Sequence, residues 1–300
     1  MTVRRAYIDS RYGQIHLRTC GTGPVVLLAH ANPWTSLFWE PVLPLLAAAG
    51  FCAVAYDGLG YGNSDTADAC LTIEGQADVM ADVAEALGGV MAVLGWHQGG
   101  IVGLEFALRD PALCPVLIMD GATTATDDQA MALARAVLAH NPDYPFAGNE
   151  GRWWADAMLG KLRLFNPHFR LDATTWPLFR GFVAGSLLND PQIATSPSPM
   201  VPNAVRKALT PHKASAVDVP YYDWLARLPH LSSPLLVLTA EDEPLHPAHA
   251  HAMAAAPPGA EEFVYPAGHP LIGVGREAEY LSPIVAFLRR HPASSRKQEA

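Results

Sequence analysis

The sequence holds no apolar run of about 18 residues, no C-x-x-C or H-E-x-x-H motif, no cluster of basic residues and no internal repeat. Each absence removes a class. Without the long apolar run, no membrane-spanning helix is expected. The four cysteines, Cys20, Cys52, Cys70 and Cys114, are scattered, which argues against a disulfide framework or a thiolate zinc site. Cys52 falls in the apolar run FCAVAY, where a small hydrophobe is ordinary. A formal charge of −9 without basic clusters makes nucleic acid an unexpected partner. The arginines of MTVRRAYIDS are followed by no apolar h-region, so no signal peptide is expected and cytoplasmic residence is the default.

What is present is the composition of a globular chain. Over 300 residues, 50% are apolar and 16% charged, enough to bury a substantial core in one large domain or two ordinary ones. The expected ligand is small and largely uncharged; oligomeric state is not legible. Strand and helix signals alternate over the first 120 residues. AYIDS and QIHLRT read as a hairpin joined at Arg11-Tyr12-Gly13. PVVLLAH, FCAVAYD, VMAVLG and PVLIMD read as buried strands. Between them, SLFWEPVLPLLAAAG (36–50) and IEGQADVMADVAEALG (73–88) read as helices. The alternation resumes with PLLVLTA (234–240), AHAHAMAAA, EEFVYPA and EAEYLSPIVAFLRR. Such an order builds a mostly parallel sheet with helices on both faces.

The interruption between the two blocks, 121–232, lacks continuous apolar strand runs but is rich in aromatics, Trp153 and Trp176 among them. It is expected to be a helical cap over the C-terminal edge of the sheet, where open α/β sheets bind ligands. The domain plan is therefore a core of 1–120 and 233–291, the cap, and a frayed tail over 292–300. Most cap aromatics would pack among themselves, with a few facing a pocket.

Four separated motifs carry a resemblance. His30-Ala31-Asn32-Pro33 follows a buried strand. Asp57-Gly58-Leu59-Gly60-Tyr61-Gly62-Asn63-Ser64 follows the next. Gly95-Trp96-His97-Gln98-Gly99 joins a strand to a helix, and Ala267-Gly268-His269 precedes the last helix. In that order they resemble the α/β-hydrolase superfamily over nearly the whole chain: an H-G-x-P oxyanion loop, a D-x-x-G-x-G-x-S signature, a G-x-S-x-G nucleophile elbow and a catalytic histidine. The resemblance implies an eight-stranded, mostly parallel sheet with flanking helices. It implies oxyanion donors from the backbone N–H groups of Asn32 and Gln98, and His269 as general base. No cofactor is implied. Asp57, Gly62 and Ser64 are assigned to turn structure. The base needs a carboxylate, and there are two sources. The family's usual acid would fall on Glu243, which is preferred, or Asp242 if the loop is shifted. Asp120, ending PVLIMD, holds an alternative position used by some members, including enzymes resembling cofactor-free dioxygenases.

The departure is His97, where the elbow normally carries serine. A neutral imidazole can attack activated acyl groups, and an acyl-imidazole hydrolyses readily. Its Nε2, however, lies about 2 Å further from the backbone than a serine oxygen, and a misplacement of about 1 Å can cost on the order of a hundredfold in rate. Three other readings stay open. His97 and His269 could act as a coupled acid–base pair in lyase, decarboxylase or oxygenase chemistry. They could join His30 in a metal site, although the family ordinarily uses the His30 position for local hydrogen bonding, so no metal is expected. Finally, the site could have lost its chemistry and serve binding alone. The preferred expectation is cleavage of an ester, lactone or related acyl bond in a small hydrophobic molecule. His30, Trp34, Trp96, Trp153 and Trp176 are the candidate pocket residues. His246, His249 and His251 are expected to decorate an exposed helix start.

Overall fold

A computed structural model of the chain describes residues 1–32, 34–66, 72–121, 220–241, 246–266, 268–270 and 275–292, with a set of positions between 159 and 183. Its centre is an eight-stranded sheet: β1 (Arg4–Ser10), β2 (Gly13–Cys20), β3 (Val25–Ala29), β4 (Cys52–Tyr56), β5 (Ala92–Trp96), β6 (Leu117–Asp120), β7 (Leu235–Ala240) and β8 (Glu261–Tyr265). They lie in the order β1-β2-β4-β3-β5-β6-β7-β8. β1 and β2 form the expected antiparallel hairpin, closing at Ser10 opposite Gly13, and β2 runs antiparallel to β4. All later pairings are parallel.

Strand side chains alternate between faces, and this divides the core in two. Val26 and Leu28 point to one side with α1 (Leu43–Ala48) and α6 (Glu277–Arg290). Leu27 and Ala29 point to the other with α2 (Ile73–Ala86), α3 (Gln98–Arg109), α4 (Trp224–Arg227) and α5 (His246–Ala255). The helices form where the pattern demands. In α6 the buried residues Tyr280, Leu281, Ile284, Phe287 and Leu288 make one stripe. Acidic residues lie in its first turn and arginines in its last, matching the helix dipole. Thr72 caps α2 by accepting from the Gly75 N–H at 3.1 Å. Among the described residues no helix is long and apolar enough to cross a membrane.

Residues 36–50 depart from the single helix expected. They make a 3-10 turn at Ser36–Trp39 and then α1. Prolines are the cause: Pro41 and Pro44 lack the N–H a continuous helix needs, and Pro44 sits in the first turn of α1, where none is required. His249 also departs. It is buried, with Nε2 at 2.9 Å from Glu262 Oε1, joining α5 to β8 instead of decorating the surface. Most of 121–232 lies outside the described residues, and the cap expectation lies there with it. Its last part returns onto α3: buried Glu105 accepts from the Tyr222 hydroxyl at 2.5 Å and pairs with Arg227 at 2.6 Å.

Candidate active site

The chain turns sharply between β5 and α3, and His97 is the turn. It has φ 48° and ψ −111°, the one non-glycine residue with positive φ among those described. The flanking glycines explain how the turn closes. A methyl on Gly95 would overlap the backbone of Gly99 and Gly100, and one on Gly99 would overlap the carbonyl of Ala29 on β3. Strand and helix can approach this closely only without those side chains. The His97 N–H donates to the Asp120 carbonyl at 2.8 Å, tying the turn to the end of β6.

Asp120 is the hub of the site. Its carboxylate is fully buried. Oδ1 lies 2.8 Å from His269 Nε2, and Oδ2 accepts from the Tyr280 hydroxyl at 2.7 Å. One residue thus holds the turn by its backbone, and both His269 and the last helix by its side chain. Glu243 and Asp242 lie outside the described residues; the carboxylate bonded to His269 is Asp120. The Trp96 ring packs against both imidazoles, at 4.8 Å from His97 and 6.1 Å from His269 between centroids. His97 is itself buried. Burial pushes its imidazole down to about 3; the charge of Asp120 opposes this and that of His269 adds to it. His97 is therefore neutral at neutral pH.

Asn32 and Gln98 come together, lining a small cavity of about 20 Å³ with His30, Tyr61 and Gln76. That is room for about one water. Gln98 Nε2 donates to Gln76 Oε1 at 2.8 Å. The sequence places Gln76 only within the helix of 73–88; two side chains on separate helices give no local signal of their meeting. His30 lines the same cavity but is committed to the loop: one ring nitrogen meets the Ala31 carbonyl at 2.9 Å, and the other accepts from Gly58 N–H at 2.9 Å. It is thereby occupied against the three-histidine metal face considered above.

Asp57 has a structural environment. It receives N–H groups of Ser36 at 2.6 Å and Asn63 at 3.0 Å, with His16 Nδ1 at 2.9 Å. Burial alone would raise its pKa, but the His16 bond, the Asn63 N–H, the His30 charge and the Ser36 bond hold it down at about 2. Trp34 and Trp96 are buried with Phe38, whose ring stacks on Trp96 at 4.2 Å. Trp34 packs edge-on against Trp96 at 4.5 Å, so Trp34 and Phe38 both back the ring that meets the two imidazoles. Trp176 is half-exposed, 5.7 Å from the Phe179 ring; Trp153 lies outside the described residues.

A strand–turn–helix with an isolated positive-φ residue, followed late in the chain by a buried His–Asp pair at the sheet's C-terminal edge, defines a superfamily architecture. The comparisons agree. A family model described as the alpha/beta hydrolase fold matches residues 24–275, and the chain belongs to that family. It is 30% identical over 192 residues to a putative carbamate hydrolase RutD of Variovorax paradoxus strain S110, covering 52% of this chain and 71% of that protein. It is 33% identical over 109 residues to epoxide hydrolase 3 of Siraitia grosvenorii, covering 35% of this chain and only 34% of that protein. Among solved structures, proline iminopeptidase of Mycobacterium smegmatis superposes with a TM-score of 0.71 at 19% identity, over 96% of this chain and 98% of that one. Carboxylesterase CesB of Bacillus subtilis gives 0.70 at 20%, over 96% and 92%. At these identities the structures speak for the fold alone.

Proposed function

We propose that the protein hydrolyses an ester, lactone or related acyl bond of a small hydrophobic molecule, with His269 as general base and Asp120 as its orienter. The observation that carries this is the buried His269–Asp120 bond beside the His97 turn. In the proposed step, His269 takes a proton from water as the oxygen bonds to the acyl carbon. The Asn32 and Gln98 backbone N–H groups hold the oxyanion. On collapse the leaving oxygen takes the proton back from His269. His97 stays neutral and directs water or substrate. The burial that keeps it neutral also opposes the acyl-imidazolium cation that nucleophilic attack would form, so attack by water is favoured over a covalent route. The names of the relatives, carbamate and epoxide hydrolases, are compatible with water as the attacking species.

A second reading draws on the same neutral imidazole and on an acid at the end of β6. His97 and His269 would then move protons in a lyase, decarboxylase or cofactor-free oxygenase reaction. The discriminating experiment is saturable turnover of a short-chain activated aryl ester by the protein, His269→Ala, His97→Ala and His97→Ser, with products identified. We expect His269→Ala to lose about a hundredfold in kcat/KM, His97→Ala to lose a substantial part, and no burst in the unaltered protein. A burst with a trapped acyl group on His97 would replace water attack by covalent catalysis. Tight binding without turnover, in all assays, would remove the enzyme reading.

A further inference from the structure

Asp120 has a second partner that the proposed reaction does not use. Tyr280 donates its hydroxyl to Oδ2 at 2.7 Å, opposite the oxygen that meets His269. Both side chains are fully buried. Tyr280 is itself immobilised: its ring belongs to the buried stripe of α6 and stacks against Tyr265 at 6.1 Å, and the Tyr265 hydroxyl donates to its carbonyl at 2.7 Å. The last strand and last helix therefore deliver one phenol to one carboxylate oxygen. Packing alone needs only the ring, which phenylalanine would supply; the hydroxyl is the added element.

We propose that Tyr280 is a positioning residue of this site: its hydroxyl fixes the Asp120 carboxylate with Oδ1 toward His269 and takes up part of the carboxylate's charge. The inference rests on His269 being the base. A carboxylate that also accepts from a phenol is a weaker acceptor for imidazolium, so the hydroxyl restrains how tightly the Asp120–His269 pair holds a proton. Burial, and then the Asp120 charge, keep Tyr280 protonated, its pKa well above the usual tyrosine range. It is a donor at every working pH. Among the described residues, the other titratable groups facing the pair are His97, neutral beside it, and Tyr265. Farther out, Arg276 donates to the Gly268 carbonyl at 3.1 Å and pairs with Glu279 at 2.6 Å, on the solvent side.

The test is an NMR titration of the His269 ring, assigned by its loss in His269→Ala, in the full chain. In Tyr280→Phe the midpoint should rise by about one unit. The acid limb of kcat/KM should move up with it, and kcat should fall about three- to tenfold with KM little changed. The same substitution in an Asp120→Asn background should produce no further shift. Replacing Tyr280 by 3-fluorotyrosine, which keeps the ring and strengthens the donor, should move the midpoint down; this arm decides the matter even if the phenylalanine variant folds poorly. An unchanged midpoint in both variants, or an equal shift with and without the Asp120 carboxylate, overturns the proposal. The titration requires no turnover, so its outcome stays separate from that of the hydrolase reading.

Discussion

His97 carries two costs. A side chain at φ 48°, ψ −111° occupies backbone space that favours glycine, at on the order of 1–3 kcal/mol. Its imidazole is also held dry, with its pKa near 3. The second cost depends on pH. Unfolded, the ring binds a proton below about 6.5; folded, it does not until about 3. Between those values the unfolded state carries the extra proton, so stability falls as pH falls, by about 1.4 kcal/mol per unit at most. Lowering the pH from 6.5 to 5 should therefore weaken the unaltered protein against denaturant by about 1.7 kcal/mol more than His97→Ala. Parallel loss in the two proteins would mean that the folded ring titrates normally. Both costs at one position, beside a buried His–Asp pair, support the proposed role of that side chain.

Among elements, the β5–α3 junction has the least tolerance. Gly99 lets the start of α3 approach the Ala29 carbonyl, and Gly103 lets the same helix settle against Val93 and Leu117. Gly99→Ala forces α3 off β3 and should lower unfolding stability by about 1–3 kcal/mol. Because the Gln98 N–H moves with the helix, turnover should drop more than stability explains. A fully active, destabilised variant would separate the donor role from the packing. Much of this element plan is legible in the sequence because apolar runs such as PVVLLAH and VMAVLG have a period and punctuation of their own. What resists reading is contact between elements. β6 and β7 are neighbours and acids follow or end both in the sequence, so sequence alone offered Glu243 first and Asp120 second; Asp120 is bonded to His269, and Glu243 lies outside the described residues. Tyr280 lies within EAEYLSPIVAFLRR with no local sign of its partner, and the Gln76–Gln98 bond leaves no trace. The split at 36–50 was readable, since Pro41 and Pro44 stand in plain view, but the apolar pattern outweighed them.

At the scale of the molecule, Asp57 is where the antiparallel end of the sheet is tied to the parallel body. It follows β4, reaches His16 on β2, receives Ser36 from the 3-10 turn after β3, and closes its own turn through Asn63. Gly62 makes room for it: a methyl there would overlap the carboxylate. The partners that hold its pKa at about 2 bind its ionised form more strongly than the unfolded chain does, where about 3.9 is ordinary. The resulting stability, on the order of 2–3 kcal/mol, is fully present above about pH 4 and is lost as pH falls through 2. His97 weakens the fold earlier, below about 6.5, so acid unfolding should proceed through two windows with separate owners. Asp57→Asn should cost about 2–4 kcal/mol at pH 7, because an amide cannot accept from Ser36, Asn63 and His16 together. The gap between variant and unaltered protein should shrink only below about pH 4. Since Asp57 touches neither imidazole of the site, kcat per folded molecule should stay within about twofold. A variant that remained stable but lost turnover would move Asp57 from the frame of the protein into its chemistry.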